Sequence, residues 1–317
     1  MKAEVTFTQS TKEDKLTRKI NFDRDGLTLL GDLFTPDDFD ENGRYEAVIV
    51  EGSFSSVKEQ MPGTYAQKFA DQGFVALAFD YSHYGESAGE PRQLESPAEK
   101  LSDLQAAVSY LTGLRYVQAV GMVGICTSAG SAAYLAAADP RVKALASVAG
   151  FLPGPDLYRS LYGEDGLAER KAAAAEARRT YEETGEVVLV PAYSEDDPAA
   201  INYRPSDGAY DYYLNKERGN VPEYRNEAAL MGLAEFLDFA PVSQASAITT
   251  PTMVIHSDGC AFPDEAKKLY SELQGEKELV WADGTHYDYY DSPAQIDNAV
   301  ANVTRFFRTH LAAELAA

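Results

Sequence analysis

Six apolar runs of five to seven residues, set apart by amphipathic stretches of helical period, confine this chain to an α/β architecture. The runs are Ala47–Glu51, Phe74–Asp80, Ala119–Ile125, Ala144–Ala149, Thr252–His256 and Glu278–Ala282. Apolar residues at successive rather than alternate positions mark strands covered on both faces, as in a mainly parallel sheet wrapped by helices. The stretches between them supply those helices. Tyr65 and Phe69 stand four apart in a segment that stops at Gly73, and Leu101, Leu104, Val108 and Leu111 share a face entered through Ser96 and Pro97. Ala266, Leu269, Tyr270 and Leu273 form a third face, and Ile296, Val300, Val303 and Phe307 a last one. Ahead of the parallel strands, Glu4–Gln9 and Lys19–Pro36 read as antiparallel, the second bent into two halves near Asp25-Gly26.

One interval breaks the rhythm. From Phe151 to Ile248 the only strand-like run is Val187–Val190, cut short by Pro191. A structureless loop of that length does not fit a compact domain, so residues 151–248 are expected to form an inserted, largely helical cap. The core is then 1–150 with 249–317. An Ala-rich helical piece, Lys171–Arg179, opens the insertion, and a tyrosine-dense part follows with Tyr193, Tyr203, Tyr210, Tyr212, Tyr213 and Tyr224. Tyr203, Tyr210, Tyr212, Tyr213 and Tyr224 of this part, and His83 in the loop after Asp80, are the candidate substrate contacts.

The chain carries 28 basic and 50 acidic side chains, a formal charge of −22. Such a surface repels nucleic-acid phosphates and anionic lipids, so neither is expected as a partner. No apolar stretch follows Met1, which argues against a signal peptide or membrane span. Two cysteines do not make a disulfide framework. Together these lead us to expect a cytoplasmic protein that acts on a small molecule, with a homodimer left open.

The chemistry is concentrated where the third apolar run ends, in Gly124-Ile125-Cys126-Thr127-Ser128, followed by the small residues Ala129 to Ala133. This is the small-x-nucleophile-x-small elbow, with cysteine where serine is usual. A nucleophile on so sharp a turn needs small neighbours two residues away. The helix that follows aims free N–H groups at the sulfur, which should lower the thiol's pKa, and the Thr127 N–H points where an oxyanion would develop. A rival register makes Ser128 the nucleophile. Of four histidines, His310 reads as a surface residue and His256 as a core residue ending a buried strand. His286, in Asp283-Gly284-Thr285-His286 after the last strand, stands where the base belongs in the order nucleophile, acid, histidine. The acid should lie after His256, at Asp258 or Asp264. Asp264 opens a helix and has a capping reason to be there, so Asp258 is preferred. Cys260 on the same loop reads as a bystander. The second oxyanion donor should come from Gly52-Ser53-Phe54, as the N–H of Ser53 or of Phe54. No phosphate-binding glycine loop, His-Glu-x-x-His or paired cysteine ligands occur, so no cofactor or metal is expected.

Gly124-Ile125-Cys126-Thr127-Ser128-Ala129-Gly130, Val57–Met61, Phe79-Asp80-Tyr81 with Gly85-Glu86-Ser87 and Pro91-Arg92, and Gly284-Thr285-His286 resemble the dienelactone hydrolase-like α/β-hydrolases. The resemblance implies an α/β-hydrolase fold and a triad of Cys126, His286 and an acid near Asp258. The acid loop places its aspartate one residue earlier than the usual Asp-x-x-x-Pro spacing, and the small dienelactone hydrolases lack the long insertion. The expected reaction is hydrolysis of an ester, lactone or thioester through an acyl-enzyme on Cys126. The rivals are an acyltransferase, cyclase or carbon–carbon lyase on the same scaffold, or a ligand-binding protein without catalysis.

Overall fold

The computed structural model describes residues 17–313, so the strand expected at Glu4–Gln9 lies outside the described residues. The chain opens with a hairpin, β1 (Thr17–Arg24) and β2 (Leu27–Phe34), in full antiparallel register. Its turn is Asp25-Gly26, with φ of 52° and 90°. Two consecutive positive φ values make the tight turn whose twist matches that of the flanking strands. Then follow β3 (Tyr45–Glu51), α1 (Met61–Asp71), β4 (Val75–Phe79), α2 (Pro97–Thr112), β5 (Val117–Ile125), α3 (Thr127–Ala138) and β6 (Val142–Val148). The local rules hold at the helix ends. Gly73, at φ 93°, closes α1 while Phe74 N–H donates to the Phe69 carbonyl and Gly73 N–H to that of Ala70. Ser96 Oγ caps α2 by accepting from Glu99 N–H, and Pro97 takes the first helical position.

After β6 the chain contributes nothing to the main sheet until β11. It forms α4 (Pro155–Thr184), β7 (Leu189–Pro191), β8 (Tyr193–Ser194), β9 (Asn202–Tyr203), α5 (Asp211–Leu214), β10 (Glu227–Ala229) and α6 (Leu233–Leu237), with 3₁₀ turns at Leu230–Gly232 and Pro241–Ala247. Helix α4 is far longer than the Lys171–Arg179 piece expected, because Gly163 interrupts its pattern; there the backbone leaves the helix (φ 69°, ψ 170°) and the axis kinks. The strands are two or three residues long, too short to leave a period in the sequence. Pro191 ends β7 at the margin of a two-stranded ribbon, where a missing N–H is tolerated.

The core resumes with β11 (Thr252–His256), α7 (Pro263–Glu272), β12 (Lys277–Trp281), α8 (Asp288–Asp291) and α9 (Pro293–Ala313). The eight main strands lie in the order β1-β2-β4-β3-β5-β6-β11-β12. The strands β4, β3, β5, β6, β11 and β12 run parallel, and the hairpin joins antiparallel at one edge. Side chains alternate across this sheet. Val48 and Val50 pack with Tyr65 and Phe69 of α1 and with Val303 and Phe307 of α9. Ala47 and Ile49 pack on the other side with Leu104 and Val108 of α2, Ala132 of α3 and Leu269 of α7. Among the described residues no helix is long and apolar enough to cross a membrane. Strand order reverses direction around β3 and β5, and the carboxyl ends of these two strands carry the loops from which the candidate site is built.

Candidate active site

Cys126 is the single residue between β5 and α3, at φ 56° and ψ −120°. Side chains with a Cβ avoid this region, so surrounding bonds must hold it. Its N–H donates to the Val148 carbonyl at 3.1 Å, and its own carbonyl accepts from Ala129 N–H (3.1 Å) and Phe151 N–H (2.9 Å). The requirement for small neighbours is visible at Gly124, where a Cβ would sit 2.2 Å from the Ser128 carbonyl oxygen and 2.6 Å from the Ala129 Cα. Gly130 is small for another reason: a Cβ there would meet the Phe239 ring at 2.7 Å. Ser128 is fully buried in α3, with Oγ 3.2 Å from the Tyr81 hydroxyl. The positive-φ turn between strand and helix thus lies at position 126, and Ser128 lies within the first turn of α3.

Cys126 is 5% exposed. Burial pushes its thiol above the ordinary value of 9.0, against the lowering expected from the helix N-terminus. Desolvation of the thiolate outweighs the donors that face it. Those donors are, in order, the Tyr290 hydroxyl, the Thr127 hydroxyl, and the peptide N–H groups of Thr127 and Phe54. The Thr127 Oγ1 lies 3.6 Å from the sulfur. Of the two residues offered for the second oxyanion donor, Phe54 is thus the one whose N–H acts on the sulfur. Ser53 is buried beside it. The loop is fixed to the elbow by Ser128 N–H, which donates to the Gly52 carbonyl at 3.1 Å.

His286 shares the cavity with Cys126. Its Nδ1 accepts from the Ala261 N–H at 3.3 Å, and its Nε2 lies 3.0 Å from the Tyr290 hydroxyl. Burial, with a smaller push from His256, drives its pKa from 6.5 down to about 3. The ring is therefore neutral at physiological pH. Asp258 does not orient it. The Asp258 side chain is 80% exposed and faces Lys267 Nζ at 3.7 Å, and Asp264 is 96% exposed, 3.6 Å from the same ammonium. The turn after β11 points Asp258 outward while Gly259 pairs with Thr285. Gly259 occupies the Asp-x-x-x-Pro position, and a Cβ there would lie 2.4 Å from the Gly284 carbonyl oxygen. No carboxylate fits at that position without moving the histidine loop.

The cavity measures about 900 Å³ and is walled largely by aromatic rings. Tyr203, Tyr210 and Tyr213 line it as expected. Tyr212 does not; it is buried against Tyr213 and Tyr290, with Arg218 over its ring. Tyr224 is also set back, bonding Ser55 Oγ and Asn226 Oδ1. His83 is not a wall residue either: Nδ1 sits 3.0 Å from the Pro91 carbonyl in a buried loop at φ 76°, because the loop after β4 folds inward around that carbonyl. His256 is buried between the Ser257 and Gly150 carbonyls, and His310 leans on Phe306 with little exposure rather than standing free on the surface. Cys260 lines the cavity with its thiol pushed up to about 11 by burial. Wall residues missed from sequence include Tyr158, Tyr162, Tyr193, Phe236, Tyr287 and Tyr290. Tyr290 carried a signal: it stands four residues after His286, the spacing that puts two side chains on one helical face. Among the described residues no group of three His, Cys, Asp or Glu side chains is arranged to hold a metal ion.

Comparison with known proteins bears on this geometry. Residues 25–288 match the model of the peptidase S15 family, described as X-Pro dipeptidyl-peptidase. The uncharacterized protein YcjY of Escherichia coli K12 is 31% identical over 295 residues, covering 90% of this chain and 95% of that one. The thiohydrolase aneE of Aspergillus aculeatus is 24% identical over 318 residues, covering 96% of each. The crystal structure of the hypothetical protein PA2218 from Pseudomonas aeruginosa superposes with a TM-score of 0.81 at 26% identity, covering 98% of this chain and all of that one. The likeness drawn from the elbow and terminal histidine holds at the level of the α/β-hydrolase fold. The chain belongs to the S15 (X-Pro dipeptidyl-peptidase) family and is an enzyme of the α/β-hydrolase type.

Proposed function

We propose that this enzyme transfers acyl groups from thioesters, or comparably activated esters and lactones, through a covalent thioester on Cys126. The observation that carries the reading is the position of Cys126: a thiol on the strained turn between β5 and α3, facing the N–H groups of Thr127 and Phe54. Sulfur attacks the carbonyl carbon, the carbonyl oxygen gains charge, and two peptide N–H groups stabilise it. Residues 151–248 act as a cap whose tyrosines hold the acyl group by ring contact and hydroxyl hydrogen bonds. A cavity of about 900 Å³ with this lining suits an aromatic or polyketide-like acyl chain. The name of the fungal relative, a thiohydrolase, favours the thioester. Amides are poorer substrates for a neutral thiol with no carboxylate behind the histidine, so we assign no peptidase activity despite the family's description.

The test is intact-mass analysis after mixing the protein with a panel of acyl N-acetylcysteamine thioesters, lactones and p-nitrophenyl esters. An acyl adduct mapped to Cys126 and absent from Cys126→Ala is expected. Turnover surviving unchanged in Cys126→Ala would end the reading. Water or an added alcohol as acceptor separates hydrolysis from transfer.

A further inference from the structure

We propose that Arg204 binds an anionic group of the substrate, a carboxylate or a phosphate, at the mouth of the cavity, with the hydroxyls of Tyr210 and Tyr287 beside it. The inference rests on the acyl-transfer reading of Cys126 and names a charge that its substrate carries. Arg204 follows β9 and lines the cavity, with its side chain exposed. Among the described residues its guanidinium has no hydrogen-bond or ion-pair partner. That is unexpected in a chain with 50 acidic and 28 basic side chains. The other charges of this region are already engaged. Ser194 pairs with Tyr203, so Glu195 and Arg204 come next in the register, yet the Glu195 oxygens accept from Gly208 N–H at 3.0 Å and Tyr210 N–H at 2.8 Å. Arg218, also in the wall, bonds Asp291 at 2.7 Å and Asp211 at 3.0 Å. Asp288, a carboxylate of the wall, accepts from Thr285 N–H at 2.6 Å. A guanidinium has donors and no acceptor, in a planar fork that matches a carboxylate or phosphate.

A continuous row of rings joins this cation to the reacting end of the cavity. Ring centroids lie 5.8 Å apart from His286 to Tyr287, 5.9 Å from Tyr287 to Tyr213, 3.7 Å from Tyr213 to Tyr193 and 5.2 Å from Tyr193 to Tyr210. The hydroxyls of Tyr210 and Tyr287 have no hydrogen-bond partner among the described residues. Burial raises both phenols, Tyr210 to about 12. After burial, Tyr210 responds most to the Arg204 charge, and Tyr287 responds to Cys126, Tyr210 and Arg204 in turn. Tyr287 is thus near both the sulfur and the guanidinium. A substrate bound to Cys126 meets apolar ring faces along the wall and, at the rim, donors that lack an acceptor. Two parts of a thioester can supply one: a carboxylate at the far end of the acyl chain, or a phosphate on the thiol arm. The chain's overall charge of −22 repels either at long range. Selection therefore depends on a short-range pair, inside the screening length of about 8 Å at physiological salt.

The experiment measures kcat and KM of wild type, Arg204→Gln and Arg204→Lys on three thioesters. Hexanoyl N-acetylcysteamine is neutral, adipoyl N-acetylcysteamine adds a terminal carboxylate to the acyl chain, and hexanoyl coenzyme A adds phosphates to the thiol arm. Wild type should favour at least one anionic thioester over the neutral one by about tenfold or more in kcat/KM, chiefly through KM. Arg204→Gln should lose that preference and stay within about twofold of wild type on the neutral thioester. Arg204→Lys should keep part of the preference, because an ammonium retains the charge without the fork. A loss confined to the adipoyl thioester places the anion on the acyl chain, and one confined to the coenzyme A thioester places it on the thiol arm. Because the Arg204 side chain bonds nothing in the protein, the melting temperature of Arg204→Gln should equal that of wild type. A wild type that favours neither anionic thioester would overturn the proposal. So would losses in Arg204→Gln of equal size on neutral and anionic thioesters. In both cases the acyl adduct on Cys126 still forms. No adduct from any of the three thioesters would overturn the acyl-transfer reading itself, so the two failures are distinguishable.

Discussion

Cys126 and His286 are both held in their neutral forms, and burial is the common cause. Two measurable consequences follow at the scale of single residues. The first concerns the thiol. Alkylation requires thiolate, so the rate of iodoacetamide reaction at Cys126 should keep rising with pH from pH 7 to pH 9 with no plateau. A plateau below pH 7 would reveal a thiolate–imidazolium pair that this geometry does not contain. The second concerns the imidazole. The folded protein keeps His286 neutral down to about pH 3, whereas the ordinary value is 6.5. Between those values the unfolded chain binds more protons, so this group's contribution is fully present above pH 6.5 and is lost progressively as pH falls. The melting temperature of the wild type should therefore drop more steeply from pH 6.5 to pH 4 than that of His286→Gln. Parallel curves for the two proteins would show that His286 does not titrate in this range.

At the scale of elements, α4 shows how one residue shapes the cavity wall. Gly163 lies in a region of φ and ψ that belongs almost wholly to glycine, and the kink there follows directly after the wall residues Leu161 and Tyr162. A Cβ at Gly163 would meet nothing within 4 Å, so any cost of adding one is backbone strain alone. Gly163→Ala should destabilise the protein by roughly 1–3 kcal/mol. Gly166, three residues on, is helical, and its Cβ would make only an ordinary 3.5 Å contact with Tyr162 Cβ. Gly166→Ala should be stabilising by up to about 1 kcal/mol. Urea titrations that show the same sign for both would contradict the backbone argument. This contrast also marks what the sequence makes legible. The hairpin at Asp25-Gly26, the Gly73 stop, the Ser96 cap and the elbow each obey a rule set by neighbours within a few residues, and all were readable. The outward turn of Asp258 was not, because it depends on Gly259 pairing with Thr285, a contact between distant loops. The strands of the insertion escaped notice because two or three residues carry no period. Tyr290 was overlooked because tyrosine is read as packing unless a partner four residues away is considered with it.

At the scale of the whole molecule, the insertion and the core share one apolar body. Tyr158, Ala174, Tyr193, Tyr213 and Phe236 from residues 151–248 belong to the same buried cluster as Val148, Cys126, Tyr289 and Phe307. The polar ties converge on the loop that carries the Phe54 N–H. Tyr193 donates to the Phe54 carbonyl at 3.2 Å, Tyr224 and Ser55 hydroxyls lie 3.3 Å apart, and Gln60 Nε2 donates to the Gly219 carbonyl at 2.5 Å. Phe54 itself packs on Phe236, with ring centroids 5.0 Å apart. A segment that shares its buried surface in this way has little core of its own to survive alone, so insertion and core should unfold in one transition. Calorimetry should give a single peak with calorimetric and van't Hoff enthalpies in agreement. Tyr224→Phe probes the coupling without touching the cavity wall: it removes hydrogen bonds to Ser55 and Asn226 and keeps the ring. It should lower stability by about 1 kcal/mol, and the single peak should move down as one. By loosening Ser55, next to Phe54, it should also lower kcat on the thioester with little change in KM. Two resolved peaks, in the wild type or the variant, would mean that the insertion folds as a separate unit and that the oxyanion loop is held by the sheet alone.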